Sequence, residues 1–174
     1  MWWRASGSNA NLGLGLRSTQ DLKEGQFIDT YRGEIITDEE ASRREEQACQ
    51  SKESYLYSLD KFAESENLPT EQLYVIDGQY MGGPTRFINH SCEPNCRQYT
   101  VSYNKNDPRI YDIAFFAYRD IPAGEELTFD YLDKDEEEED VEVKVTPDQR
   151  KDGTGEKPVA CHCGAGRCRK WLWI

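Results

Sequence analysis

The chain has 174 residues, enough for one well-buried core and short for two. A net charge of -12 disfavours binding to a nucleic-acid backbone and suits attraction of a basic peptide, although acidity also simply keeps a domain soluble. No apolar run approaches the length that spans a bilayer, and 13 Gly and 7 Pro against 37% hydrophobic residues point to short elements and many turns rather than a helical bundle.

The start, Met1-Trp2-Trp3-Arg4-Ala5-Ser6, lacks a basic segment followed by a long apolar one, so an intracellular, reducing setting is expected. Residues 1 to 133 read as the main domain. From Gln26 to Ile36 the apolar residues Phe27, Ile28, Tyr31, Ile35 and Ile36 predict strand. Thr37 with Glu40 forms a capping-box signature that opens a charged helix reaching Cys49. Residues 55–59 and 73–77 predict short strands, and 98–103 place Tyr99, Val101 and Tyr103 on one face. Residues 110–118 are the most apolar strand, expected at a sheet centre. Ile121-Pro122-Ala123-Gly124 is a turn before a last strand at 127–131.

Residues 134–158 read as an acidic flexible connector. Lys134 to Asp140 alone hold one Lys, two Asp and four Glu, and such a stretch buries too little apolar surface to order itself. Residues 159–174 form an appendage too short for its own core, which needs a metal or a docking surface.

Six cysteines would allow three disulfides, but Cys161, Cys163 and Cys168 crowd into eight residues. That clustering suits thiolates converging on a metal, and three are one short of a closed tetrahedral zinc site. Gly164 and Gly166 permit tight turns between them. Cys49 and Cys96 read as ordinary thiols, and His162 is not assigned to the metal.

Two segments carry the chemistry. Arg86-Phe87-Ile88-Asn89-His90-Ser91-Cys92-Glu93-Pro94-Asn95-Cys96 is followed by Glu125-Glu126-Leu127-Thr128-Phe129-Asp130-Tyr131. With the tail Cys161-His162-Cys163-Gly164-Ala165-Gly166-Arg167-Cys168, they resemble the paired signature and post-SET tail of the SET-domain protein lysine methyltransferases. The resemblance implies a mainly β fold of small curved sheets with a pseudoknot, an exception to the usual absence of threaded chains. It implies S-adenosylmethionine as methyl donor and a structural zinc held by Cys92, Cys161, Cys163 and Cys168.

Residue by residue, the resemblance places Gly13, Leu14 and Gly15 against the donor through backbone groups, Leu14 replacing the family's usual aromatic residue. Arg86, Asn89, His90, Tyr55 and the tail's Trp173 complete the donor pocket, while Trp171 is expected in packing. Tyr131 matches the catalytic tyrosine and Tyr31 a channel tyrosine. Phe129 matches the position that governs how many methyl groups fit, and phenylalanine there implies di- and trimethylation.

Phe27 to Thr37 and Tyr80 to Thr85 are most similar to the Su(var)3-9 group, fungal members in particular. That implies a histone H3 tail methylated at lysine 9, chromatin-associated partners and a place in the nucleus. The cysteine-dense pre-SET cluster usual in that group is not present among these residues, so a fragment, a truncated product and a short paralogue all stay open. The histone H3 lysine 36 group is the alternative within the class. A catalytically inactive chromatin-binding module, or a zinc-stapled interaction domain, is the alternative outside it.

Overall fold

The computed structural model describes residues 3–7, 13–47, 54–103, 107–132 and 158–173, and of the strand at 3–7 only the backbone. Among them lie twelve strands and one α-helix, which bears out the mainly β expectation. Of the connector expected at 134–158, residues 134–157 lie outside the described residues, as do the thiol of Cys49 and the side chain of Trp173, whereas Pro158 is the first residue of a strand. The chain divides into two compact units.

The first unit comprises residues 1–24, 88–97 and 117–174. β1 (Trp3–Gly7) and β2 (Leu14–Ser18) pair antiparallel, a hairpin the sequence reading did not anticipate. β2 is extended by bridges from Arg17 to Glu126 and from the following Leu22 to Ile121. The turn at 121–124 forms as expected, with Gly124 at a φ of 87° that favours glycine. Leu16, Ile88, Ile121 and Leu127, each 0–1% exposed, form its apolar centre.

The second unit comprises residues 25–87 and 98–116. β3 (Phe27–Thr30), β9 (Asp112–Ala117) and β8 (Cys96–Val101) form one sheet, with the apolar β9 central as predicted. β4 (Glu34–Thr37), β6 (Tyr74–Asp77) and β5 (Leu56–Ser58) form another. The stretch predicted as strand across 26–36 therefore breaks in two. Gly33 lies at the break, where an added Cβ would collide with the carbonyl of Asp77, so the close approach requires glycine. Tyr103 lies beyond β8 and is 79% exposed, and Tyr99 packs edge-on against Phe116 while remaining half in solvent. The face on which the alternation places Tyr99 and Tyr103 is turned outward.

α1 (Asp38–Gln47) starts where the capping signature lies, with the Glu40 amide donating to Thr37 Oγ1 at 3.2 Å. The Glu40 carboxylate accepts instead from Arg43 and Arg44, at 2.6 to 2.8 Å. Arg44 also reaches Glu34 and the buried Asp77, tying helix to sheet. The helix buries only Ala41, which packs with Ile36, Val75 and Leu56.

Candidate active site and metal centre

In the first unit the two signature segments meet as strands. β7 (Asn89–His90) pairs with β10 (Thr128–Phe129) in parallel, Asn89 opposite Thr128 and His90 opposite Phe129. Two residues a side is too short a ladder to hold itself. Asn95 supplies the rest. Buried to 2% exposure, it donates to the Glu126 carbonyl and the Glu125 carboxylate and accepts from the Thr128 amide, each at 2.8 Å.

The Gly13-Leu14-Gly15 segment comes to the same place. Asn89 Nδ2 donates to the Leu14 carbonyl at 3.2 Å and to Glu126 Oε1 at 2.8 Å. A Cβ on Gly15 would stand 2.5 Å from Glu126 Oε1 and 3.3 Å from Asn89 Nδ2, so any larger residue there would displace the Glu126 carboxylate from its place beside Asn89. Arg17 closes on Glu126 from the other side at 3.4 Å. Glu126 is thus a site residue that the sequence reading passed over, although it stands inside the quoted signature.

Tyr131 donates its hydroxyl proton to the Ile88 carbonyl at 2.9 Å, and its ring lies against His90 and Phe129 at centroid distances of 5.3 and 4.7 Å. With that proton committed, the lone pairs of the phenol oxygen are what it offers to a further group. His90 is buried, and desolvation outweighs the opposing pull of Asp130, lowering its pKa to about 4. The ring is therefore neutral near pH 7. Its Nδ1 stands 3.6 Å from Asp130 but accepts the Tyr131 amide at 3.2 Å, so the Asp130 approach is no ion pair.

The tail reaches this neighbourhood by three routes. β11 (Pro158–Ala160) and β12 (Trp171–Trp173) pair antiparallel, and Leu172 between the two tryptophans is the buried residue. Arg169 grips both oxygens of Asp130, whose carboxyl is held below its ordinary range: burial pushes it up, and the guanidinium more than offsets that. Glu93 accepts from the Gly166 amide at 2.8 Å.

The third route is sulfur. Cys92 Sγ and Cys161 Sγ are 3.8 Å apart. Zinc–thiolate bonds of about 2.3 Å in a tetrahedron put sulfurs ~3.8 Å apart, so this pair fits the metal. Ligand atoms of His90, Cys92, Cys161 and Cys163 lie within 4.8 Å of one another, and the Cys168 thiol is within hydrogen-bonding reach of Cys161 and Cys163. Crowding splits the thiols: desolvation raises Cys92 to about 11 and raises Cys161, while donors lower Cys163 to about 7 against its own burial. A metal ion would satisfy all of them as thiolates. Gly164 takes a φ of 74°, the turn expected between ligands. Cys96 is buried apart, its Sγ 3.3 Å from the Asn95 side-chain oxygen, and burial pushes it up to about 12.

The second unit holds the remaining candidates. Tyr31 donates to the Tyr55 carbonyl at 2.8 Å, which also accepts from the Gly78 amide at 3.0 Å. Tyr57, not singled out from sequence, packs against Tyr31 with the rings tilted 47° and centroids 5.4 Å apart, and donates to Gln98. Arg86 lies over Phe87 and Tyr55 and donates to the Gly78 and Gln79 carbonyls. Its Nε is buried and, among the described residues, has no hydrogen-bond partner.

Comparison with known proteins accords with this geometry. The SET domain family model matches residues 13–132. The histone-lysine N-methyltransferase KMT1 of Fusarium mangiferae, H3 lysine-9 specific, is 43% identical over 166 residues, 92% of this chain and 46% of its own. The H3 lysine-9 specific enzyme dim-5 of Neurospora crassa is 42% identical, over 92% of this chain and 48% of its own. The chain thus spans about half the length of these curated relatives. The solved Neurospora SET domain protein DIM-5, a histone lysine methyltransferase, superposes with a TM-score of 0.68 at 43% identity over 76% of this chain and 53% of that one. A structure solved to explain product specificity in histone lysine methyltransferases gives 0.73 at 39% identity, over 98% and 56%. The chain belongs to the SET-domain family.

Proposed function

We propose that the chain is an S-adenosylmethionine-dependent protein lysine N-methyltransferase that di- and trimethylates histone H3 at lysine 9, acting on chromatin in the nucleus. The observation that carries the reading is the parallel pairing of Asn89–His90 with Thr128–Phe129, which puts the Tyr131 hydroxyl on the Ile88 carbonyl beside the Gly13–Gly15 and Asn89 cluster. The specificities named for the Fusarium and Neurospora relatives support lysine 9.

Methyl transfer from a sulfonium is an in-line displacement with no catalytic metal. When bound, the donor supplies an electrophilic methyl group and a positive charge. The nucleophile is the obstacle, because free lysine has a pKa of about 10.4 and its neutral form is about 3 units, or ~4 kcal/mol, uphill near neutral pH. Groups that accept from a neutral amine without carrying charge suit this task, since a carboxylate would hold the lysine charged. The phenol oxygens of Tyr131 and Tyr31 have their protons on the Ile88 and Tyr55 carbonyls, which leaves lone pairs to orient an amine. Backbone of Gly13–Gly15, the Asn89–His90 strand, Tyr55, Arg86 and Trp173 are assigned to the donor. Phe129, buried with its ring on Tyr131, is assigned to the number of methyl groups accepted. The thiolates of Cys92, Cys161, Cys163 and Cys168 are assigned to zinc, which orders the tail.

Incubation with labelled donor and intact histone octamer, followed by site mapping, tests the reading. Label at H3 lysine 9 is expected. Label at lysine 36 would move the protein to another group of the family. Donor binding by calorimetry with no label transferred would make it a chromatin-binding module.

A further inference from the structure

The Tyr55 carbonyl accepts two hydrogen bonds, from the Tyr31 hydroxyl at 2.8 Å and from the Gly78 amide at 3.0 Å. A carbonyl oxygen has two lone pairs, so this acceptor is fully used, and Gly78 helps to decide where it stands. Gly78 also borders the phenol itself. A Cβ built on it would lie 3.3 Å from the Tyr31 hydroxyl oxygen and 3.4 Å from the Tyr55 carbonyl oxygen. Its φ lies outside the left-handed region, so the backbone by itself would admit alanine. What glycine supplies here is room for one oxygen atom.

The turn that presents Gly78 is held from several sides. Asp77, the last residue of β6 and 3% exposed, accepts the Gln79 amide on Oδ1 at 2.8 Å and the Arg44 guanidinium on Oδ2 at 2.6 Å. The Arg86 guanidinium donates to the carbonyls of Gly78 and Gln79. Gly82 lies so close to the Gly78 carbonyl that a Cβ on it would collide there. A carboxylate buried as deeply as Asp77 is a weak device for stability, because an apolar residue of similar size often serves a core as well. It is an effective device for direction, since one oxygen is tied to the helix and the other to the turn.

We propose that Asp77 and Gly78 are positioning residues for methyl transfer: Asp77 fixes the turn, the turn fixes the Tyr55 carbonyl, and Gly78 leaves the space in which the Tyr31 phenol is aimed at an incoming amine. The link to the amine rests on the transfer role proposed for Tyr31, whereas the seat of the phenol does not.

Gly78→Ala disturbs the seat without removing a hydrogen bond, because the added methyl crowds the phenol oxygen. Misplacing a reacting group by about 1 Å costs on the order of 100-fold, so a smaller shift should lower kcat on a histone H3 peptide about 10-fold, with donor affinity by calorimetry unchanged. Gly83→Ala is the comparison: it lies in the same loop, 3.5 Å from the nearest Arg32 atom, and should keep the parental kcat. A general folding defect would add to other losses. A methyl lodged against the phenol oxygen does not: Tyr31→Phe removes that oxygen and should cost less kcat in the Gly78→Ala background than in the parent. Additive losses, or an equal fall in Gly83→Ala, would overturn the proposal.

Two readouts need no turnover. Asp77→Asn keeps an oxygen for the Gln79 amide, whereas Asp77→Ala leaves none, so Gly78 amide exchange should stay slow in the first and quicken about 10-fold in the second. Equal exchange in the two would remove Asp77 from the seat. Carbon NMR of tyrosine labelled at the oxygen-bearing ring carbon reports the phenol directly, Tyr31→Phe identifying its signal among the ten tyrosines. That signal should shift in Gly78→Ala and hold in Gly83→Ala. Shifts in a protein that transfers no methyl group would sink the proposed function and leave the seat standing. Methyl transfer with an unmoved Tyr31 signal in Gly78→Ala would do the reverse.

Discussion

Each unit of this chain has an apolar centre of its own, but the signature segments of the first are fixed by different physics from the sheets of the second. In the second, apolar strands do the work: Phe115 on the central β9 is fully buried, and Ile36, Ala41 and Val75 close the sheet against a helix that is otherwise charged. In the first, the signature segments are joined by a two-residue ladder, a buried amide side chain, an ion pair and a group of thiols. Apolar packing tolerates drift, whereas hydrogen bonds and metal ligands fix positions to fractions of an ångström. The difference teaches where the chain spends stability on geometry: around Asn89, His90 and Tyr131.

Substitutions test that contrast. The largest effect is expected from Phe115→Ala, which should cost about 3–5 kcal/mol in chemical denaturation because a fully buried ring leaves a cavity. A loss under 1 kcal/mol would mean that the apolar sheet is not what stabilises the second unit. Tyr131→Phe should lower methyl transfer about 100-fold, as loss of a single oriented polar group does, while calorimetry still detects donor binding. Loss of both together would show that Tyr131 serves folding rather than chemistry. Asn95→Ala leaves the Glu126 carbonyl and the Thr128 amide without their partner and should cost about 1–3 kcal/mol per stranded group. A neutral result would remove Asn95 from the account of how β7 and β10 stay paired. Phe129→Tyr should change folding least, adding one hydroxyl beside Tyr131, and should shift products toward lower methylation by mass spectrometry. An unchanged product distribution would separate Phe129 from product control.

The same contrast explains what could be read from sequence. The second unit's strands followed from apolar periodicity, and α1 from Thr37, because both signals are local. The break at Gly33 did not, since the reason for it is the Asp77 carbonyl more than forty positions away. Periodicity placed Tyr99 and Tyr103 on one face but could not say that it is the wet one, because alternation distinguishes two faces without saying which meets solvent. In the first unit the motifs named Asn89, His90, Phe129 and Tyr131 as one neighbourhood, and the structure brings them together with Gly13–Gly15. Glu126, Asn95 and the Asp130–Arg169 pair were not singled out. Each acts only through a partner distant in sequence, and a lone Glu or Asn carries no signal of that kind. Tyr57 was hidden for a simpler reason: one tyrosine among ten is not distinctive.

The central claim is that Cys92 and three thiols of the tail hold one metal ion that fixes the tail beside Tyr131. Metal content of the purified protein and of Cys92→Ser tests it directly. The account predicts one zinc per chain in the parent and loss of that zinc in the variant, with cleavage by trypsin after Arg167 and Arg169 becoming rapid. A parent protein free of zinc, or a Cys92→Ser variant that keeps its full complement and its resistant tail, would contradict it.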